Sequence, residues 1–506
     1  MSRLLVLLPI LLWVVWLGQG QMLYPPHAAP ADLALLGPAA YLLGLAGAVM
    51  LFRLAALGLA RRPAAGRLNR FARMTELLRI GLILWLAVGL WVFDYGRLVL
   101  FFAGPLLRVG VETPSVLLAV LPTYAAGTAL WWAAWPVEAY RHQLAALSSY
   151  DRGQAVHAPP TARAYVLANL RMGLLFGLAP ILAVLLTRDV LAGAYTGFVA
   201  PVGPGAELLL TLASVAGVML AAPLFLVRML RTTPLPPGEL HDRLTALAAR
   251  TNVRYRKILL WHTDEAICNA AVMGLLPQLR YVLMSDLLLA SLSPQQVEAV
   301  FAHEAGHVRH RHMLWYVLFI VAIVFAAAGP GETLLRALDG LASSAGSPLV
   351  AGVLTDPTLL ACVFVTGVLL GFGLLSRLFE RQADLFAARA VGDAGGPNVQ
   401  GPSAEGVLTV AGAGAFASAL QRVAVVNNML PVPVASGRPL WRGLHRIAQE
   451  FRHFFHGSIE LRTNTLLAMS TDPAAVGRFD LLARGVMLTI LFTCLASAAW
   501  TVVLTL

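Results

Sequence analysis

Long apolar runs recur along most of this 506-residue chain, and they restrict what it can fold into. Apolar residues make up 58% of the chain and charged residues only 12%, proportions far from those of soluble domains. About 20 apolar residues suffice to cross a bilayer as a helix. Candidate runs lie at about 4–16, 32–58, 77–93, 115–135, 172–187, 206–226, 313–329, 357–375 and 485–506. The sequence therefore predicts a mainly α, polytopic membrane protein with about nine spans.

Positive charge lies mostly in short loops between these runs. The net charge of +11 comes almost wholly from arginine, since Lys257 is the only lysine. A basic balance is also typical of nucleic-acid-binding proteins. Arginines clustered between apolar runs (61–73 and 141–163) instead indicate membrane topology, whereas the loop at 24–32 holds none. We therefore expect membrane lipid and no nucleic acid as a partner, with these two loops and the N-terminus in the cytoplasm. No small-x-small cleavage site follows the first run, which favours an anchor over a signal peptide.

The runs divide the chain into five predicted parts. Residues 1–231 are an N-terminal membrane region with about six spans, 232–312 a cytoplasmic catalytic region, 313–375 a membrane hairpin, 376–482 the second part of the catalytic region, and 483–506 a C-terminal span. Local patterns predict helices at 240–250 and 410–426, short strands at 257–262, 269–274 and 281–284, and a mobile Gly/Pro/Ser-rich loop at 392–405. The three cysteines match no zinc or disulfide pattern.

The chemistry is predicted by one stretch of the polar region, His-Glu-Ala-Gly-His at 303–307. Ser293, followed by proline and then by Gln296 three residues on, is the signature of a capped helix start. On such a helix His303 and His307 leave the same face, where both imidazoles can hold one zinc ion. Glu304 lies to the side, where it can reach a water molecule without binding the metal. This is the H-E-x-x-H pattern of zinc hydrolases, so one zinc per chain is the predicted cofactor.

A catalytic zinc needs a third protein ligand and leaves one position for water. Glu380 returns after the hairpin to the membrane face of both histidines, and Asp384, one turn later, can accept a hydrogen bond from a ligand imidazole. The alternative is that both are ordinary interfacial charges beside a membrane helix. His310 and His312 are either further ligands or, as we favour, part of a basic cytoplasmic cuff.

Two motifs resemble those of the gluzincin-type integral-membrane zinc metallopeptidases, which include HtpX and the CAAX prenyl endopeptidases. They are the H-E-x-x-H stretch and Ser376-Arg377-x-x-Glu380-x-x-Ala383-Asp384. The resemblance runs from about 240 to 467 and implies a small α+β, zincin-like catalytic region with Glu380 as the third zinc ligand. A later motif of that family is matched from His456 to Arg462, with Gly457 where proline is usual. By resemblance, His456 and Arg462 would steady the substrate carbonyl and its oxyanion. A basic patch beside phenylalanines is the alternative.

These residues predict a membrane-bound zinc metalloendopeptidase, with Glu304 as general base, acting on membrane or unfolded proteins in protein quality control. We place it in the plasma (inner) membrane with its site facing the cytoplasm. A peptide could pair with a strand that contains Asn269, Ala270, Ala271 and Val272 if that strand is an edge. An interior position in the sheet is equally compatible with the sequence.

Three other functions remain open at this point. The first is a CAAX-type endopeptidase of prenylated proteins. The second is a non-catalytic zinc-binding sensor or transporter, which would have no need of Glu304. The third is an intramembrane protease of the site-2 type, suggested by Leu338-Asp339-Gly340 but disfavoured because the predicted topology puts Asp339 across the membrane from His303. The sequence carries no signal for oligomeric state.

Overall fold

The computed structural model of the chain describes residues 8–23, 35–61, 65–107, 111–151, 161–173, 178–196, 204–263, 267–344, 357–392, 407–427 and 457–505. The predicted loop at 392–405 lies, beyond its first residue, outside this part of the chain, and so does His456. The chain forms two compact units, Met1–Met219 and Leu220–Leu506.

The first unit is built of helices. They are α1 (Leu8–Leu23), α2 (Leu36–Arg61), α3 (Ala65–Trp91), α4 (Tyr95–Leu107), α5 (Thr113–Asp151), α6 (Ala162–Gly173), α7 (Ala179–Thr196) and the start of α8 (Pro204–Met229). Tyr41 of α2 lies at the centre of their core. Its hydroxyl is 3.2 Å from the Thr123 hydroxyl of α5, and its carbonyl accepts a 3.0 Å hydrogen bond from the Trp85 indole of α3. One buried tyrosine thus links three helices by polar contacts that satisfy its own groups.

A buried carboxylate fixes the start of the long helix α5. Asp189 of α7 accepts hydrogen bonds from the backbone N–H groups of Glu112 (3.0 Å) and Thr113 (2.8 Å). The first N–H groups of a helix have no partner within the helix, and its N-terminus favours negative charge. Asp189 therefore serves as a structural cap supplied by a distant helix.

The second unit combines helices with a small sheet. Its strands are β1 (Thr232–Pro234), β2 (Lys257–Trp261), β3 (Ala270–Met273) and β4 (Tyr281–Ser285). Its helices, after α8, are α9 (Glu239–Arg250), α10 (Asp286–Ser291), α11 (Pro294–Arg309), α12 (His312–Ala326), α13 (Glu332–Ser344), α14 (Pro357–Gly392), α15 (Val410–Val426), α16 (Ile459–Ser470) and α17 (Pro473–Thr505). A π-helical turn, Ala327–Gly331, joins α12 to α13. The fold class is confirmed as mainly α with a small mixed sheet.

The sheet has the strand order β1-β2-β4-β3. Strand β2 runs parallel to β4, while β1 and β3 pair antiparallel with their neighbours. The three strands predicted from sequence are present, and the helices predicted at 240–250 and 410–426 are confirmed as α9 and α15. Strand β1 was not predicted, because its three residues sit in a proline-rich link. Strand β3 lies at an edge, which decides the question that the sequence left open.

Five of the described helices are long and apolar enough to cross a membrane. They are Leu36–Arg61, Thr113–Leu144, Leu212–Met229, His312–Leu341 and Pro473–Thr501. The pair Leu77–Trp91 and Tyr95–Leu107, bent by 73°, makes up to six. The prediction of nine spans is therefore not confirmed in the described residues. The first run forms a shorter apolar helix, Leu8–Leu17, and the runs at 172–187 and 357–375 are not among the candidates.

Helix α11 begins as predicted, with a complete capping box. The Ser293 side chain accepts from the Gln296 N–H, and the Gln296 side chain accepts from the Ser293 N–H. Helix α11 packs closely on α14 at Gly306, between the two histidines. A Cβ at Gly306 would lie 3.0 Å from the Ala383 Cα and 3.2 Å from the Phe386 Cβ. The missing side chain thus lets α14 approach the face that carries the histidines.

Candidate metal centre

Helix α11 places the two predicted imidazoles side by side. The Nε2 atoms of His303 and His307 are 3.2 Å apart. His303 is buried and stacks on Phe416 of α15, with ring centroids 5.6 Å apart. Because residues four apart lie one above the other on a helix, both rings face the same space.

Helix α14 supplies the third predicted ligand. Glu380 Oε2 lies 3.5 Å from His303 Nε2, and its Oε1 lies 3.9 Å from His307 Nε2. One ligand atom from each of the three residues lies within 4.8 Å of the others. Tetrahedral zinc ligands about 2.0–2.2 Å from the ion are about 3.3–3.6 Å from each other. Two of the three observed separations match this spacing closely, so the residues present fit a zinc ion.

A second carboxylate and an arginine support these ligands. Asp384 Oδ1 lies 3.0 Å from His303 Nδ1, on the side of the ring away from the metal-facing nitrogen. Arg462 of α16 donates from Nε to Asp384 Oδ2 at 2.9 Å, and its Nη1 lies 3.1 Å from Glu380 Oε2. The guanidinium thus contacts both carboxylates and holds α16 against α14. The role at an oxyanion that the resemblance implies for Arg462 stays a prediction.

The surroundings shift the pKa values of the two histidines in opposite directions. Burial alone would lower the pKa of His303, but hydrogen bonds and charge from Asp384 and Glu380 raise it to about 9. Burial and, after it, the neighbouring charged His303 lower the pKa of His307 to about 3. Burial acts to raise the pKa of Asp384, and Arg462 and His303 outweigh it, so the pKa is lowered. Without metal, the space between the imidazoles therefore holds a proton on His303.

The predicted base lies between the metal ligands and the edge strand. The Glu304 Oε2 accepts a 3.0 Å hydrogen bond from the Val272 N–H of β3. On the other side of this strand, the Ser285 N–H of β4 donates to the Asn269 carbonyl, and Ala271 pairs with Leu283. Val272 therefore directs its N–H away from the sheet and toward the site, since backbone groups alternate along a strand. The four predicted strand residues lie beside the metal ligands.

Two residues of the cluster were missed by the sequence reasoning. His312 is 1% exposed and stacks flat on Phe379, with centroids 4.2 Å apart. Its Nδ1 is 2.8 Å from His307 Nδ1, and its Nε2 is 3.1 Å from Gln382 Oε1. The expected place of His312 in a solvated basic cuff is thus wrong. The only sequence signal was its position nine residues after His303, at the start of an apolar helix.

Other predicted residues do not join the cluster. His310 lies half-buried against Phe386 and His312 and contacts neither metal-facing nitrogen in any recorded hydrogen bond. Asp339 belongs to α13 and is absent from the His303–His307–Glu380 group found among the described residues. The site-2 alternative therefore gains no support from the described structure.

Parts of the chain are similar to known proteins. Residues 234–427 match Peptidase family M48. A CAAX prenyl protease 1 homolog of Arabidopsis thaliana is 30% identical over 177 residues, which are 34% of this chain and 40% of the relative. A protease HtpX homolog of Aeropyrum pernix is 30% identical over 211 residues, 40% of this chain and 64% of the relative. The crystal structure of S. mikatae Ste24p matches at 17% identity and a TM-score of 0.34, covering 74% of this chain and 88% of that one.

The chain spans less than two thirds of the length of both of these relatives. The matched region contains the two histidines, Glu304, Glu380 and the edge strand, while Arg462 lies beyond it. Residues 234–427 are therefore the part of the chain that is similar to peptidase family M48.

Proposed function

We propose that this protein is a membrane-bound zinc metalloendopeptidase that hydrolyses peptide bonds in membrane or unfolded proteins. The observation that carries the proposal is the convergence of His303, His307 and Glu380 with Glu304 next to them. Its donor set, two imidazoles and one carboxylate, is that of catalytic zinc sites. The match of residues 234–427 to peptidase family M48 supports the same reaction.

One zinc ion per chain would be held by His303, His307 and Glu380, and it would polarise the scissile carbonyl and activate a water molecule. Glu304 accepts the proton of the attacking water as general base and returns it to the leaving amine. The Val272 N–H fixes one oxygen of Glu304, so the carboxylate keeps its orientation during proton transfer. Asp384 orients the His303 ring through its Nδ1.

Strand β3 would bind the substrate as an additional strand. An extended peptide on this edge makes main-chain hydrogen bonds that do not depend on its side chains. The edge runs past Glu304, so a peptide lying there would bring its backbone to the ligands and the base. Binding of this kind suits a quality-control enzyme with many substrates.

The helices long enough to span a bilayer support a multi-pass membrane location. We propose the plasma (inner) membrane, with the site on the cytoplasmic side, because the arginine-rich loops at 61–73 and 141–163 favour that orientation. Substrates would then be cytoplasmic segments of membrane proteins or unfolded cytoplasmic chains.

A second candidate is cleavage of prenylated proteins. It is favoured by the similarity to a CAAX prenyl protease 1 homolog over 177 residues. The zinc ligands and the base would be the same, and only the substrate would differ. A prenylated peptide offered beside an unfolded protein therefore separates the two candidates.

The proposal is tested by Glu304→Gln, which keeps the size of the side chain but removes the base. Casein cleavage by the purified protein in detergent should stop when a chelator is added. In the variant, cleavage should fall by about 10²–10⁴-fold, the contribution of positioned acid–base catalysis. Zinc content should be unchanged, because the three ligands remain. Glu298→Gln, on the same helix and bonded to Arg243, is the control and should cleave normally.

Equal, chelator-sensitive cleavage by Glu304→Gln and the native protein would remove Glu304 from the mechanism. Zinc binding without cleavage of casein or a prenylated peptide would favour the sensor or transporter. Cleavage of the prenylated peptide alone would establish the second candidate.

A further inference from the structure

A chain of hydrogen bonds runs from the second metal-ligand imidazole into the protein interior. His307 Nδ1 is 2.8 Å from His312 Nδ1, and His312 Nε2 is 3.1 Å from Gln382 Oε1. Both distances are within the range of good hydrogen bonds. We propose that His312 and Gln382 are positioning residues that fix the tautomer of His307, so that its Nε2 lone pair faces the metal. The inference rests on the zinc site of the proposed function.

The direction of each hydrogen bond follows from the groups involved. The Gln382 carbonyl oxygen can only accept, so His312 Nε2 carries the proton. His312 is 1% exposed and its two partners carry no negative charge, so a second, charging proton would be costly. Its Nδ1 is therefore an acceptor. His307 must donate from its own Nδ1, which leaves its Nε2 unprotonated and directed at His303.

The rest of the site agrees with this assignment. Asp384 stands behind His303 as the His312–Gln382 pair stands behind His307, so each ligand ring is held at its Nδ1. Two Nε2 atoms only 3.2 Å apart cannot both present lone pairs unless a cation, a proton or a metal, lies between them. The two supports differ in charge, since one is a carboxylate and the other a neutral imidazole and amide. The metal thus receives one strongly basic and one ordinary imidazole.

The position of His312 is fixed by the turn before its helix and by contacts with another helix. Arg311 adopts a left-handed conformation with φ of 55°, which breaks α11 from α12. His312 then begins α12 and lies flat on Phe379, one residue before the third ligand. Gln382 follows two residues after that ligand on the same helix. Helices α11, α12 and α14 therefore all meet at the pair.

The test is the affinity for zinc, measured on the purified full chain by competition with a chromogenic chelator. His312→Phe keeps a flat ring on Phe379 but removes the acceptor. It should weaken zinc binding about 10–100-fold, as loss of the group behind a ligand imidazole does elsewhere. His312→Asn restores an acceptor oxygen near the position of Nδ1 and should recover most of the loss. His310→Phe, an adjacent ring outside the hydrogen-bond chain, is the matched control and should bind zinc normally.

A substitution at Gln382 tests the direction of the hydrogen bonds that link His307, His312 and Gln382. Gln382→Leu removes the acceptor for the His312 Nε2–H and should weaken zinc affinity in the same direction as His312→Phe. The visible absorption of the cobalt(II)-substituted protein should change in His312→Phe and Gln382→Leu and be preserved in His312→Asn. Normal affinity and spectrum in His312→Phe would overturn the proposal. An equal loss in His310→Phe would also do so, since it would indicate a general packing effect.

If His312→Phe fails to fold, Gln382→Leu decides alone, and native zinc affinity with a native cobalt(II) spectrum in this variant would refute the assignment. Native protein that binds no zinc would instead refute the metal site on which the proposed function depends. The two failures are therefore distinct.

Discussion

At the scale of single residues, the metal centre balances its own buried charge. Glu380 and Asp384 bring two negative charges into the interior, and Arg462 contacts both. An unpaired buried charge is costly, whereas removal of one partner of a buried pair leaves the other uncompensated. The arginine therefore compensates the charge of both side chains, the candidate metal ligand Glu380 and Asp384, which contacts His303. His303, between these carboxylates, holds a proton where the metal would lie.

This proton predicts how zinc affinity depends on pH. The pKa of His303 is raised to about 9, so zinc must displace a proton at neutral pH. Apparent affinity should rise about tenfold per pH unit up to about pH 9 and then level off. Calorimetry in buffers of different ionisation enthalpy should detect about one proton released per zinc near pH 7.5. A pH-independent affinity between pH 6.5 and 9 would contradict the raised pKa.

The same raised pKa predicts that the stability of the metal-free protein falls as pH rises, whereas zinc affinity rises. A folded-state pKa above the ordinary 6.5 means that the protonated form is favoured by folding. The stabilisation from His303 is fully present below pH 6.5 and is lost as pH rises through 9. Unfolding of chelator-treated protein should therefore become easier over that window. Asp384→Asn is the control and should flatten both pH profiles.

At the scale of secondary-structure elements, the edge strand β3 contacts the candidate general base. Its outward N–H at Val272 is bonded to Glu304 rather than to another strand. A hydrogen bond to a charged group contributes about 1.5–3 kcal/mol, enough to hold a carboxylate in one orientation. The edge strand therefore helps to hold Glu304 in place, and in the proposed function it would also bind the peptide.

Val272→Pro tests this role, because proline removes the N–H and is tolerated in a strand where that N–H faces outward. Casein cleavage should fall about 10–100-fold, the rate equivalent of the lost hydrogen bond, while zinc content stays constant. Val272→Ala keeps the N–H and should cleave nearly normally. If both variants lost activity equally, the side chain and not the backbone would be responsible.

Periodicity and spacing predicted most of the elements of the second unit. The capping box at Ser293, helix α15 and strands β2 to β4 follow local rules, and the structure contains them. His312 could not be placed this way, because its burial depends on the left-handed turn at Arg311 and on the ring of Phe379, from another helix. Contacts between elements distant in sequence leave no local pattern.

At the scale of the whole molecule, hydropathy predicted the class of protein better than the number of its spans. Five helices, or six with the bent pair, satisfy the length and composition of a span among the described residues, against nine predicted. In the part of the chain that the structure describes, the first run forms the shorter apolar helix Leu8–Leu17. The Arg-rich loops still provide an orientation that can be tested.

The single lysine offers that test for the second unit. Lys257 is exposed at the start of β2, in the polar region that carries the site. In the proposed orientation, a membrane-impermeant amine reagent should leave the Lys257 peptide unmodified in intact cells and should label it in inverted vesicles. Lys257→Arg is the control that identifies the labelled peptide. Labelling in intact cells would place the site on the outer side and change its substrates.

The separation of the metal ligands along the chain has a consequence for synthesis. His303 and His307 precede the candidate span His312–Leu341, while Glu380, Asp384 and Arg462 follow it. Chains emerge from the ribosome and fold from the N-terminus onward. A nascent chain that ends within α12 or α13 has both histidines but neither the third ligand nor its supports. In the proposed function, such a chain lacks a complete zinc site, so peptide cleavage could begin only after the segment that follows α13 has been synthesised.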